Sequence, residues 1–250
     1  MKRLIIMMSL TMLLSAAAAE TVVVVGGTVH TMGSAGTLQD ATIIIEDGQI
    51  AAIRQGRIIP DGAVVIEADG KVITPGLFAA QSALGLVEVG AVAGTVDGGQ
   101  RGDQFGAAFD VADAFNPDSS LIPINRAGGV TRAVITPYPA WPSDGMPGGG
   151  VISGLAAVIH LGDDQDALVM RKAALVAHIG ERGGELAGGS RSAALQHLTT
   201  ALDEAIEYGR NRQAYDVGAS RDYAISRPDL LALQSVVSGD TPVFLSANRA

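Results

Sequence analysis

Short apolar runs separated by turn residues fill the first part of the sequence. Residues 22–25 are consecutive valines and residues 63–66 form another continuous apolar run, a pattern typical of buried strands. Residues 41–54 contain two apolar runs joined by Asp47 and Gly48, a pair that favours the type I′ turn of a hairpin. Repeated short strands with Asp-Gly turns predict a compact antiparallel β unit.

Longer apolar patterns in the remainder of the chain alternate between strand and helix. Residues 130–136 and 242–247 are predicted strands, and residues 190–208 are the clearest amphipathic helix, with leucines at three- and four-residue spacing. Residues 165–179 also have helical spacing, whereas residues 151–161 fit either a strand or a buried helix. Further helices are predicted at residues 121–127 and 228–237, and a loop at residues 183–189. This alternation predicts a parallel sheet built from βαβ units.

Composition narrows the range of functions. The formal net charge of −9 and an aromatic content of 4% disfavour nucleic-acid binding, which needs a basic face and stacking surfaces. The 250 residues include no cysteine, which excludes disulfides, thiol nucleophiles and thiolate metal ligands. Hydrophobic residues make up 48% of the chain, which suffices for a substantial core.

Residues 1–19 have the pattern of a secretory signal peptide. Lys2 and Arg3 form a positive start, an apolar stretch follows, and the small residues Ala17 and Ala19 fit cleavage after Ala19. The apolar stretch is too short to span a bilayer comfortably, so no membrane anchor is expected after cleavage. We therefore predict a periplasmic or secreted protein.

Several segments, in their order along the chain, resemble one known family. Residues 71–86, KVITPGLFAAQSALGL, combine a strand end, a Pro-Gly turn and a short apolar run. Upstream lie VVVGGTVHTM and TIIIEDGQIAAI, and downstream lie PGGGVISGLAAVIHL and GDTPVFLSANRA. Together these segments resemble the amidohydrolase superfamily and, within it, the imidazolonepropionase-like group.

This resemblance implies an α/β fold and a reaction class. Residues 20–74 would form a small β domain, and residues 75–250 the N-terminal part of a metal-dependent-hydrolase-type (β/α)8 TIM barrel. The barrel would be incomplete and truncated, because too few strands are found to make eight. Members of the superfamily hydrolyse non-peptide carbon–nitrogen bonds with water that one or two divalent metals activate. The resemblance thus implies a hydrolase with zinc as the expected metal and a small-molecule substrate.

The family's metal-binding motif is degenerate in this sequence. After Pro-Gly-Leu the family has His-x-His, two ligands that can share one ion from the end of the first barrel strand. Gln81 and Ala83 occupy those positions, and Ser246 occupies a later position where the resemblance implies a histidine. Alanine cannot bind a metal and a glutamine amide is a poor zinc ligand, so we expect no zinc site unless other ligands compensate. Gln81 is retained as a candidate substrate-binding residue.

The four histidines include no pair with metal-ligand spacing. His160 ends an apolar run near a strand end and is the second candidate substrate-binding residue, with a structural role as the alternative. His30 lies in the predicted β unit, and His178 and His197 lie on predicted helices, where surface or interface roles are expected. No catalytic residue is assigned.

Acidic side chains in predicted loops are candidates for cation binding or general base catalysis. They are Glu88, Asp97, Asp103 and Asp144, and solvated surface charge is the alternative for each. Two hypotheses remain open for the whole chain. It is either an exported amidohydrolase-like enzyme or a non-catalytic, metal-free binding or scaffold protein of the same fold, and a homo-oligomer is compatible with both.

Overall fold

The computed structural model describes residues 21–100, 106–139, 150–163 and 166–248. These residues form two compact units that are divided in the sequence between Pro75 and Gly76. The described part of the first unit is a β-sheet, and the second unit combines a β-sheet with helices. The predicted signal peptide lies outside the described residues.

Five strands form the sheet of the first unit. They are β1 (Thr21–His30), β2 (Thr37–Glu46), β3 (Gln49–Gln55), β4 (Val64–Glu67) and β5 (Val72–Ile73). Strands β1, β2 and β3 are antiparallel neighbours, and the predicted hairpin turn is confirmed because Asp47 and Gly48 both have positive φ. Strands β4 and β5 pair with β1 in parallel, so the prediction of a purely antiparallel unit is wrong. The chain crosses from β3 to the far edge of β1, and this crossover makes the next strand run in the direction of β1.

Five further strands form the sheet of the second unit, in the order β10-β9-β8-β7-β6. They are β6 (Leu77–Ser82), β7 (Val130–Ile135), β8 (Ile152–His160), β9 (Leu168–His178) and β10 (Val243–Ser246). Strands β6 and β7 are parallel, as are β9 and β10, whereas β8 is antiparallel to both of its neighbours. The prediction of a parallel sheet is therefore wrong at β8. Residues 161–167 join β8 to β9, and this connection is too short for the crossover that parallel neighbours need.

The helix predicted over residues 165–179 is wrong, because this segment forms β9. Leu175, Val176 and Ala177 are fully buried in a strand that pairs with β8 on one side and β10 on the other. Only the end of β9 is buried on both faces and apolar at consecutive positions, and periodicity alone does not separate such a run from a buried helix. For residues 151–161, the same ambiguity resolves in favour of strand β8.

The helices of the second unit agree better with the sequence pattern. They are α1 (Leu121–Ala127), α2 (Glu181–Leu186), α3 (Arg191–Asp216), α4 (Arg227–Ala232) and α5 (Gln234–Val237). The helices predicted over residues 121–127 and 190–208 are confirmed, and α3 extends further with non-helical dihedral angles at Asn211. The segment 228–237 is helical in two pieces, α4 and α5. The loop predicted over residues 183–189 is wrong at its start, which belongs to α2.

These helices pack against one face of the second sheet. Leu155 of β8 and Leu175 of β9 share a buried cluster with Tyr208 of α3 and Leu230 of α4. Alternate residues further along β8 join a second cluster with Ile122 of α1, so both clusters lie on the same face. Complete burial of one such side chain contributes about 1.5–3 kcal/mol, so this face supplies much of the stability of the unit.

Asp229, at the start of α4, connects two distant parts of the second unit. Its carboxylate accepts hydrogen bonds from the backbone N–H of Ala108 (2.7 Å) and from the hydroxyl of Ser226 (2.6 Å). The same hydroxyl accepts a hydrogen bond from the N–H of Asp229, which caps α4. Asp229 is buried, and these bonds satisfy a carboxylate that would otherwise be costly to remove from water.

The second sheet curls into a half-barrel. Its continuation into a TIM barrel, whole or truncated, stays a prediction. Among the residues that the structure describes, no helix combines the length and the apolar character needed to cross a bilayer.

Gly183→Ala is expected to destabilise the second unit, although alanine normally favours a helix over glycine. A Cβ atom at Gly183 would overlap the backbone carbonyl oxygen of His178, so α2 or β9 would have to move. Overpacking of this kind typically costs about 1–3 kcal/mol, which urea unfolding would detect. The matched control is Gly90→Ala, because a Cβ there meets no atom within 4 Å. Equal unfolding midpoints for the two variants would contradict the described packing.

Candidate functional site

The carboxyl ends of four strands lie along one edge of the second sheet, which we name the strand-end edge. Ser82 at the end of β6 is paired with Ile135 at the end of β7. His178 at the end of β9 is paired with Ser246 at the end of β10. Strand β8 runs in the opposite direction and begins at this edge. Active sites of (β/α) barrels lie at the carboxyl ends of the strands, so the strand-end edge is the candidate functional site.

Gln81 and Ala83 are placed at the end of the first strand of this sheet. Gln81 is exposed within β6, and Ala83 follows the strand at the beginning of a turn. Between them, the Ser82 hydroxyl accepts a hydrogen bond from the N–H of Leu84 at 3.1 Å, which holds this turn. The amide of Gln81 can both donate and accept hydrogen bonds, whereas the methyl group of Ala83 can do neither.

The end of β10 is fastened to the start of α2. The carbonyl oxygen of Ser246 accepts hydrogen bonds from the N–H groups of Ile179 (3.0 Å) and Gly180 (3.2 Å). Two residues later, Oδ1 of Asn248 accepts a hydrogen bond from the N–H of Glu181 at 2.9 Å. The Asn248 side chain therefore binds the backbone at the start of α2. Ser246 is half-buried at the end of β10.

His178 is the histidine that the structure places at the strand-end edge. The backbone N–H of His178 donates to the carbonyl oxygen of Val151 at 2.9 Å, which anchors the end of β9 beside the start of β8. The His178 side chain is only 7% exposed, and its Nε2 has no hydrogen-bond partner among the described residues. Burial, and then the positive charge of Arg182, lower the pKa of His178 below its usual value. The imidazole is therefore neutral at neutral pH.

The His178 side chain lies on the face of the sheet opposite the helices. Leu175, three positions earlier on β9, packs with α3 and α4. Side chains alternate between the two faces of a strand, so residues separated by an odd number of positions lie on opposite faces. Ser246 is the register partner of His178 in a parallel pair and therefore shares its face.

His160 lies at the other edge of the sheet. It ends β8, and its register partner is Arg132 near the start of β7. Its ring lies in the turn that follows β8, with Nε2 2.9 Å from the carbonyl oxygen of Asp166 and Nδ1 accepting from the N–H of Gly162 at 3.0 Å. The structure therefore does not bring His160 and Gln81 together. A substrate-binding role for either residue stays a prediction.

The remaining candidates are scattered over the chain. Glu88 is half-buried, and its Oε2 accepts a hydrogen bond from the Ser120 hydroxyl at 3.1 Å. Asp97 is exposed, and His197 is exposed on α3. His30 is in the first unit, where Nδ1 lies 2.9 Å from the Thr37 hydroxyl. Asp103 and Asp144 lie outside the described residues.

Zinc, which the resemblance implies, does not fit the donors at the strand-end edge. Gln81 offers a neutral amide, Ala83 offers no donor atom and Ser246 offers a hydroxyl, so His178 is the single imidazole among these positions. A catalytic zinc site uses three protein ligands, drawn from histidine, carboxylate and thiolate groups. Across the part of the chain that the structure describes, no three such side chains are grouped so that they could hold a metal ion. No catalytic step through a metal follows from these residues.

Sequence reasoning missed His178 because its segment was assigned to a helix. The run AALVAH before Ile179 and Gly180 is a short, continuous apolar segment that ends at a polar residue and a glycine. That pattern fits a buried strand whose last side chain reaches the edge of the sheet. Read as a strand, it would have placed His178 at the strand-end edge from the sequence alone.

The fold is similar to that of a solved protein of known class. The chain matches the crystal structure of an amidohydrolase from Thermotoga maritima MSB8 with a TM-score of 0.72 and 21% identity. The match covers 92% of this chain and 58% of that chain, so this sequence spans less than two thirds of the amidohydrolase's length. No protein-family model and no curated protein matches the sequence. At this level of identity, the likeness establishes that the chain has an amidohydrolase-like fold.

The buried His178 is expected to make stability depend on pH. Its pKa is lowered in the folded protein, so between that lowered value and about 6.5 the unfolded chain binds the proton that the folded chain excludes. Stability is therefore lost as the pH falls through this window. His178→Gln should reduce the slope of unfolding free energy against pH between about pH 5 and pH 7, measured by urea unfolding. The exposed His197→Gln should leave the slope unchanged, and equal slopes for both variants would disprove the assignment.

Proposed function

We propose that this chain belongs to the amidohydrolase superfamily and that the protein is a hydrolase of non-peptide carbon–nitrogen bonds. The observation that carries the proposal is the fold likeness to an amidohydrolase over 92% of the chain. The ordered resemblance of segments such as KVITPGLFAAQSALGL and GDTPVFLSANRA is a separate argument for the same superfamily. The imidazolonepropionase-like group is the part of the superfamily that these segments favour.

The proposal places substrate binding at the strand-end edge. Gln81, Ser246 and His178 offer an amide, a hydroxyl and a neutral imidazole, and each can both donate and accept a hydrogen bond. Such groups suit an uncharged, polar small molecule. These three side chains can bind and orient an amide. They do not form a zinc site, so the activation of water requires a base or a metal that other groups supply.

We also propose that the protein is exported to the periplasm or beyond the cell. The support is the signal-peptide pattern of residues 1–19, and the lack of cysteine in the sequence is compatible with a periplasmic location. A homo-oligomer remains compatible with this proposal.

The hydrolase proposal is tested by turnover of a panel of linear and cyclic amides by the purified protein. Release of amine or of the ring-opened acid, above the rate of a heat-denatured sample, is the expected result. Metal analysis and chelation of the same sample would show whether turnover depends on bound zinc. A folded protein that hydrolyses none of the panel would overturn the proposal.

A second candidate function is that of a non-catalytic, metal-free binding or scaffold protein. The specific observation in its favour is the replacement of expected ligands by Gln81, Ala83 and Ser246 at two strand ends of the same edge. This candidate predicts binding of small amides without turnover. Amide hydrolysis by a sample purified to a single protein species would exclude this second candidate function.

Zinc binding should increase when two imidazoles are restored at the end of β6. Gln81→His combined with Ala83→His supplies the His-x-His pair of the family, and zinc affinity measured by calorimetry is expected to rise. The chain offers a matched control in Gln49→His with Ala51→His, a second Gln-x-Ala pair that is exposed on β3. Tighter zinc binding at β6 than at β3 would show that further donors at the strand-end edge contribute. Equal affinity would show that the pair acts alone and that no site remains there.

A further inference from the structure

The buried Nε2 atom of His178 needs a partner that the described residues do not supply. The side chain is more than nine-tenths buried, and no described group forms a hydrogen bond with this nitrogen. A buried polar atom that lacks a partner is costly, and most such atoms in folded proteins bind an ordered water or a ligand. His178 lies where ligands of this fold class are bound, at the carboxyl end of a strand.

Ser246 is the polar side chain best placed to share a ligand with His178. The two residues are register partners on adjacent parallel strands, so their backbones are about 4.8 Å apart and their side chains point to the same face. Backbone hydrogen bonds from Ile179 and Gly180 to the Ser246 carbonyl oxygen hold the two strand ends together. The backbones that carry the hydroxyl and the imidazole are therefore held side by side at the strand-end edge.

The neutral imidazole of His178 and the hydroxyl of Ser246 favour an uncharged ligand. His178 is neutral, since burial and the charge of Arg182 disfavour its protonated form. Arg182 donates to Oε2 of the exposed Glu185 at 3.0 Å, which offsets part of its charge. A carbonyl oxygen and an N–H group match a neutral imidazole and a hydroxyl, which carry no formal charge to pair with an anion.

We propose that His178 and Ser246 bind the amide group of an uncharged small molecule. Nε2–H of His178 donates to the carbonyl oxygen of the ligand, and Oγ of Ser246 accepts from its N–H. The assignment rests on the proposed function, because it places the amide of the substrate class at this pair. It adds the residues that recognise the amide and the atoms through which they do so.

The test is a titration of the full chain, labelled with 15N-histidine, with succinimide as a neutral cyclic amide probe. The Nε2 signal of His178, assigned by its loss in His178→Phe, is expected to shift in a saturable manner. Acetate, added as a charged comparator, is expected to leave the signal in place. A signal that is insensitive to succinimide up to its solubility limit would overturn the proposal and would indicate that water or another part of the protein occupies the site.

Variants separate a binding role from a structural one. Removal of a hydrogen bond of this kind should weaken succinimide binding about tenfold in His178→Phe and in Ser246→Ala. His178→Gln keeps a side-chain N–H donor and should restore part of the affinity, whereas His197→Gln on the exposed face of α3 should bind as the wild type does. Unchanged affinity in both folded site variants, His178→Phe and Ser246→Ala, would overturn the proposal.

The two proposals fail in different ways. If succinimide binds at His178 but no amide is hydrolysed, the proposed hydrolase function falls and the binding site stands. If amides are hydrolysed equally well by wild type and by His178→Phe, the hydrolase function stands and the binding site falls.

Discussion

The pairing of β8 with β9 is the interaction on which the second unit depends. Leu155 and Leu175 face each other across this pair and are both buried, with the helices α3 and α4 packed over them. The free edge of β8 pairs with β7 and the free edge of β9 pairs with β10, so the remaining strands of the sheet are added on either side of this hairpin. Its two strands are close in sequence, so their pairing costs less loop-closure entropy than pairings between strands that are farther apart in the chain. The reversed direction of β8 follows from this hairpin.

Much of the fold could be predicted from local patterns. The Asp47-Gly48 turn has a signal in the dipeptide itself, which adopts positive φ as expected. The leucine spacing located the helix α3, but Leu195 and Ile206 of the predicted apolar face are exposed. The β9 strand could not be recognised in this way, because its last residues are buried on both faces and its earlier residues 169–172 are exposed, so it lacks the alternation that marks a half-buried strand. The direction of β8 could have been predicted from the short connection at residues 161–167, since seven residues cannot carry a helical crossover back across a sheet.

The candidate site was predictable only in part, for a related reason. Gln81 and Ser246 could be placed at strand ends because a family resemblance supplied their positions. His178 was missed because its strand was read as a helix, and His160 lies at the opposite edge because β8 is reversed. A histidine at the end of an apolar run is thus informative only when the direction of the strand is known. What local sequence lacks here is the pairing partner, which decides both burial and orientation.

The hydrogen bond between Asp229 and the backbone of Ala108 bears on how the chain folds as it is made. During synthesis, residue 108 leaves the ribosome long before residue 229, and β9 likewise waits for β10. The β8–β9 hairpin can form early, but the loop that precedes β7 keeps an unpaired N–H until α4 has emerged. The second unit therefore completes its folding only after α4 and β10 have been synthesised, and its apolar strands are exposed to chaperones and to neighbouring chains in the interval.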